Sequence, residues 1–241
     1  MRRRVLLPVI LGAVALAPAG NDAADWLRHT GPPALVLPRD HGAHPEFRTE
    51  WWYLTGLVES ETSERFGFQL TFFRQGLAPG PGEPGSSALR ARQVLAAHLA
   101  LADLGGRRFL NAERLRRADH GLAGYRVDDL ELWLDDWSLV RRPDGSLEAR
   151  ARDPEQGLGI ALELRPGRGS VLHGDRGYSQ KGPEPGNAST YLSWTRLEAA
   201  GELELAGRRL MVRGAAWFDH EWGSSQLGAG VVGWDWFSLR L

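Results

Sequence analysis

Two segments at opposite ends of the chain set acids and a histidine among indole rings: Glu50-Trp51-Trp52-Tyr53 and Ala216-Trp217-Phe218-Asp219-His220-Glu221-Trp222. With Gly233-Trp234-Asp235-Trp236-Phe237 they hold six of the ten Trp, each flanked by ionisable or small residues. A plain hydrophobic core has no need of such a mixture. A carboxyl walled by aromatic rings is desolvated, so its pKa rises and it can keep a proton near neutral pH. The chemistry on offer is that of a general acid.

Strand alternation divides each segment between two faces. Trp217, Asp219 and Glu221 point one way, and Phe218, His220 and Trp222 the other. Asp219 is the candidate catalytic donor; the alternative is that Asp219 or Glu221 pairs with an Arg or caps a turn. Glu50 shares a face with Trp52 and Leu54, opposite Trp51 and Tyr53. An apolar-flanked carboxylate needs a partner, so Glu50 is expected to bind an Arg or a His of the other segment as a buried structural lock.

His220 beside Glu221 raises the question of a metal, with His44, His98 or Glu50 completing the site. Neighbouring strand residues diverge, and neither His-x-His nor HExxH spacing occurs, so no metal and no cofactor are expected. His98 shares its face with Val94, Ala96, Ala100 and Ala102, small residues that leave room for a ligand or for a hydrogen-bonded core imidazole. Ser224 and Ser225 lack the context of a nucleophile elbow.

The elements that must carry these residues read mostly as strands. Phe66, Phe68, Leu70 and Phe72 alternate with Gly67, Gln69, Thr71 and Phe73; Val94 to Asp103 alternates likewise. Leu130 to Val140 is predicted as a strand with Trp133 and Trp137 on one face, and Leu158 to Leu164 as another, ended by Pro166-Gly167. Thr190 to Leu197, Glu202 to Leu205 and Arg209 to Asp219 follow, joined by turns at Gly201 and Gly207. Ala112 to Arg117 has a composition that favours helix. Gly76 to Ser87 reads as a surface loop, and Gly167 to Ser189, with His173, Asp175, Tyr178 and Lys181, as a lid or rim. Many closely spaced strands indicate an all-β sandwich or barrel.

Net charge is −1 and the Arg residues are scattered, which argues against a nucleic-acid partner. Absence of Cys excludes disulfides, thiolate ligands and a Cys nucleophile. Arg2, Arg3 and Arg4, the apolar run from Val5 to Ala17 and Ala17-Pro18-Ala19 have the order of a secretory signal, 1–19, whose product is expected to be periplasmic or secreted. Residues 20–40, rich in Pro, are expected to form a linker.

Several combinations resemble one exported bacterial family, the AttH-type proteins related to carotenoid 1,2-hydratases. They are His44-Pro45-Glu46 with Glu50 to Gly56; Phe66 to Arg74; Gly174 to Tyr178; Tyr191-Leu192-Ser193; Trp217 to Gly223; and Gly233 to Trp236. The resemblance implies a lipocalin-like antiparallel barrel over 41–223 and the start of a second, truncated domain of the same kind at 224–241. It implies a lipophilic ligand, an isoprenoid or a lipid, and places Asp219 at the acid position; Trp52, Tyr191 and Trp217 are expected as pocket walls around it, and His98, from its face of small residues, as a further ligand-contacting residue. Carotenoid hydratases themselves carry Tyr two residues before that acid and a His-x-Trp upstream, where this chain has Trp217 and Tyr191-Leu192-Ser193. The chain is therefore expected to be a relative of those enzymes: an acid-catalysed hydratase or hydrolase, or else a non-catalytic carrier serving an ABC-type exporter.

Overall fold

The computed structural model describes residues 26–80, 91–118 and 121–225, together with Val231, Gly233 and Trp236. The expected signal at 1–19 lies outside these residues, as do most of 224–241 and the greater part of the Gly76 to Ser87 loop.

Alternating apolar residues fold as thirteen strands: β1 Thr49–Ser60, β2 Arg65–Gly76, β3 Gln93–Asp103, β4 Arg108–Arg117, β5 Ala123–Tyr125, β6 Glu131–Leu134, β7 Trp137–Arg141, β8 Leu147–Asp153, β9 Leu158–Pro166, β10 Val171–Leu172, β11 Tyr178–Gln180, β12 Ala188–Leu205 and β13 Arg208–Gly223. A 3-10 turn at Arg39–His41 is the one helical element among the described residues. Eleven strands run β4-β3-β2-β1-β13-β12-β9-β8-β7-β6-β5, every pair antiparallel, while β10 and β11 lie beside the first half of β12. The result is a nearly closed, lipocalin-like barrel.

One parity of each strand fills the barrel. Leu54, Phe66, Leu70, Phe72, Leu95, Leu99, Trp137, Leu162, Leu203 and Phe218 are almost wholly buried in one cluster, and each such side chain stabilises the fold by about 1.5–3 kcal/mol. The longest hairpin, β12–β13, turns on Ala206 and Gly207, both at positive φ (53° and 77°), the twist that a two-residue hairpin needs. Between Trp194 and Leu197 the register of β12 shifts by a bulge. Beyond it β12 pairs with β9; before it, with β10 and β11.

Three expectations about elements are corrected. Ala112 to Arg117 is strand, not helix, because β4 completes the ladder of β3 through Ala112↔Leu99 and Arg114↔Ala97, and pairing outweighs local preference. Leu130 to Val140 is a hairpin, not one strand: Asp135 at φ 55° reverses the chain, so Trp137 goes into the core while Trp133 lies against Gly124 on the other face. Gly201 sits inside β12, where a Cβ would stand 2.1 Å from the Ala161 carbonyl oxygen. Within the stretch expected as a linker, Trp26 and His29 are buried, and Trp26 lies over Gly76.

Candidate functional site

Register decides which residues meet. Directly paired residues in neighbouring strands share a face of the sheet, and β1 pairs with β13 as Trp52↔His220 and Tyr53↔Asp219. Trp52 and His220 therefore point into the barrel, whereas Tyr53 and Asp219 point out of it. Following the pairs outward, Asp219 continues to Ser193 on β12, and Tyr53 to Thr71 on β2, His98 on β3 and Glu113 on β4. One row of polar side chains thus crosses the outer face.

Asp219 is the chemical centre of that row. It is 1% exposed. Its Oδ1 accepts hydrogen bonds from Trp217 Nε1 at 2.7 Å and from the Ser193 hydroxyl, while Oδ2 has no hydrogen-bond partner. Burial raises its pKa above the ordinary carboxyl value, against the hydrogen bonds from Ser193 and Trp217, a looser one from Tyr191, and the charge of nearby His173. No Arg or Lys forms an ion pair with it among the described residues. Around it stand Tyr53, whose hydroxyl donates to Gln69 at 2.9 Å, and Tyr191, whose hydroxyl accepts from Trp236 Nε1 at 3.4 Å. The Trp236 and Tyr53 ring centroids are 4.8 Å apart, so Trp236 bridges the two tyrosines. Both phenols are pushed up by burial and by the charge of Asp219.

The segment after β9 closes one side. His173 stacks on Tyr191, with centroids 3.9 Å apart, and its Nε2 lies 2.7 Å from Ser193 Oγ. Lys181 Nζ reaches Glu221 at 2.7 Å, and Ser189 also donates to Glu221. The rim expected from Gly167 to Ser189 is thus ordered by β10, β11 and this ion pair.

Inside the barrel, at its end, lies a second cluster. Glu50 is wholly buried and accepts from Arg74 Nε at 2.9 Å, His44 N at 2.9 Å, His44 Nδ1 at 2.9 Å and His220 Nε2 at 2.8 Å. Arg74, equally buried, also donates to Gln93 and to the carbonyls of His44 and Phe47, each at 2.8 Å. This is the lock anticipated for Glu50. Burial works against its ionisation, but the Arg74 charge and the two histidines hold Glu50 well below the usual carboxylate range. Burial also opposes a charge on His44, yet its bonds to Asp40 and Glu50 raise it to about 9; burial lowers His220 to about 4.

His44, Glu50 and His220 have ligand atoms close enough to hold a metal. The donor set is poor for one: both Glu50 oxygens are engaged, and a buried guanidinium beside them repels a second cation.

Of the residues singled out in the sequence, Asp219, Trp217 and Tyr191 come together. Trp52 does not join them, because its pairing with His220 turns it inward, where the rings stack at 4.8 Å. His98 shares the face of Asp219 but lies three strands away, about 14 Å at ordinary strand spacing. It packs on Phe73 and faces Glu113. The sequence shows Tyr53 and Ser193 only within their segments and His173 only in the rim; the strand register brings them to Asp219.

A profile described as AttH-like matches residues 28–241. A crystal structure of an AttH protein from Nitrosomonas europaea is similar at 35% identity and TM-score 0.74, over 84% of this chain and 60% of that one. Kievitone hydratase from Nectria haematococca shares the fold at TM-score 0.57 and 10% identity, over 85% of this chain and 56% of that one. The chain thus spans less than two thirds of the length of these structures. No curated protein sequence matches it.

Proposed function

This chain belongs to the AttH-like family, and on that footing we propose that it is an exported protein that binds a lipophilic alkene, isoprenoid or lipid-like, and hydrates it with Asp219 as proton donor. The observation that carries the reading is the buried Asp219 carboxyl: one oxygen satisfied by Trp217 and Ser193, the other without a partner. A buried carboxyl left with an unpaired oxygen is stabilised when that oxygen carries a proton, which it can then give up. Tyr53, Tyr191 and Trp217 present ring surfaces to a cation formed beside it, and such contacts are worth about 0.5–2 kcal/mol each.

The reaction balances simply. The Oδ2–H bond breaks as the alkene π pair forms a C–H bond, water adds to the resulting cation, and the oxonium loses a proton. The fold similarity to a hydratase supports this reaction class by analogy only. Trp236 lies across Tyr53 and Tyr191, the two phenols beside this carboxyl.

Asp219→Asn tests the proposal, with farnesol and squalene as probe alkenes. Turnover is expected to fall by about 10²–10⁴-fold, while quenching of Trp fluorescence by the probe persists. Turnover retained in the variant removes Asp219 from the chemistry. Quenching by the wild-type protein without conversion of any alkene identifies a carrier instead.

A further inference from the structure

A donor in Asp219 needs its proton restored, and its carboxyl is cut off from bulk water. We propose that His173 and Ser193 form a proton relay that recharges Asp219 from the solvent side, an inference that rests on the acid role proposed above. With the proton on Nε2, His173 donates to Ser193 Oγ at 2.7 Å, and the Ser193 hydroxyl donates to Asp219 Oδ1. Ser193 is fully buried and its hydroxyl has partners on both sides; His173 is only half-buried. The chain of donors therefore runs in one direction, from a side chain that touches solvent to a carboxyl that does not.

Each transfer conserves charge and protons. When Asp219 is left as carboxylate, the Ser193 O–H bond breaks toward Oδ1 and the His173 Nε2–H bond breaks toward Ser193 Oγ; a half-turn of the carboxyl about Cβ–Cγ then carries the protonated oxygen to the unpartnered position and brings the bare one to Ser193 and Trp217. Nδ1 of the same ring takes a proton from water, so the imidazole ends neutral in its other tautomer; it resets by swinging off Ser193, losing the Nδ1 proton to water and taking one from water at Nε2. No co-reactant beyond water is used. The local fold suits this task. Stacking on Tyr191 fixes the plane of the ring, and the backbone N–H of His173 bonds the Tyr191 carbonyl at 3.0 Å. Gly174 and Gly177, at φ 67° and 97°, turn the chain sharply beyond it. Burial lowers the pKa of His173, with Asp219 opposing and Lys181 reinforcing the shift, so the resting ring is neutral and able to take up a proton. The other titratable groups facing Asp219 are Tyr53, Tyr191 and Glu221; Tyr191 also donates toward the carboxyl, but Ser193 is the group bonded to both Asp219 and His173.

The relay can be tested without a substrate, since the Trp217 indole N–H is bonded to Asp219 Oδ1 and its ¹⁵N resonance reports the ionisation of the carboxyl. In the wild-type protein one sharp resonance should move smoothly with pH. Ser193→Ala, which removes a donor to the carboxylate, should raise the midpoint by about one pH unit. His173→Gln keeps a donor to Ser193 but cannot exchange tautomers: the midpoint should hold while the resonance broadens or splits near it, and added imidazole should restore the sharp line. A purely structural His173 gives no imidazole effect. A sharp, averaged resonance in His173→Gln at every imidazole concentration overturns the relay and leaves the acid role standing. Failure of the wild-type resonance to titrate between pH 4 and 9 overturns both.

Discussion

Replacing Glu50 by Gln changes one atom's identity at the end of the barrel and should be among the most damaging conservative substitutions in the chain. The carboxylate accepts four hydrogen bonds, two on each oxygen: His44 Nδ1 and His220 Nε2 on Oε1, His44 N and Arg74 Nε on Oε2. A carboxamide can keep one pair, but its NH₂ then faces the donors of the other pair. Arg74 retains its neutral acceptors, Gln93 and the carbonyls of His44 and Phe47, and loses its counter-charge while fully buried. Removing one member of a buried, hydrogen-bonded ion pair costs about 3–5 kcal/mol, which for a chain of this size lowers the melting temperature by about 6–20 °C. Urea unfolding followed by Trp fluorescence measures the loss as a lower midpoint at unchanged slope. The alkaline limb is a second readout. His44 is raised to about 9, so its contribution is complete below its ordinary 6.5 and disappears as pH rises through about 9. In Glu50→Gln that alkaline loss should shrink, with Asp40 and Glu46 left to hold the charge. A stability change under about 1 kcal/mol, with an unaltered alkaline limb, would refute the lock.

Two further outcomes follow from the same geometry. His29, His41 and His220 are buried and lowered to about 4, 3 and 4, chiefly by desolvation. Their contribution is therefore full above 6.5 and lost progressively as pH falls toward 4; unfolding curves between pH 7 and 4 should show this decline more steeply in Asp219→Asn, which lacks the opposing contribution of the raised carboxyl, and a stability of that variant that rises as pH falls would show that the rings are protonated in the fold. Gly214→Ala would set a Cβ 2.1 Å from the Leu57 carbonyl oxygen and 2.7 Å from Val58 Cα, parting β1 from β13. A loss of about 1–3 kcal/mol is expected, and an unchanged melting temperature would show that the strands are not this close.

Much of the barrel was legible because alternation is a local property. The phases of β1 and β13 follow from Glu50, Trp52 and Leu54 against Trp51 and Tyr53, and from Asp219 against His220, and the structure keeps both. What the sequence lacks is the offset between the two strands. Trp52 seemed a wall for Asp219, yet the register pairs Trp52 with His220 and gives Asp219 to Tyr53. A slip of one residue exchanges the two faces, and nothing within either segment forbids it. The link of Ser193 and of the rim residue His173 to Asp219 stayed hidden for the same reason, since each acquires its role only from its neighbour across the sheet. Ala112 to Arg117 shows the converse: local composition favoured helix, and the open edge of β3 decided for strand.

The central claim is that burial raises the Asp219 carboxyl above the ordinary carboxyl pKa, so that it holds its proton more tightly than a free aspartic acid. ¹³Cγ NMR of Asp-labelled protein, with the Asp219 resonance identified by its absence in Asp219→Asn, measures this directly. The account predicts a midpoint above the ordinary 3.8; a carboxyl that ionises at or below 3.8 would contradict it.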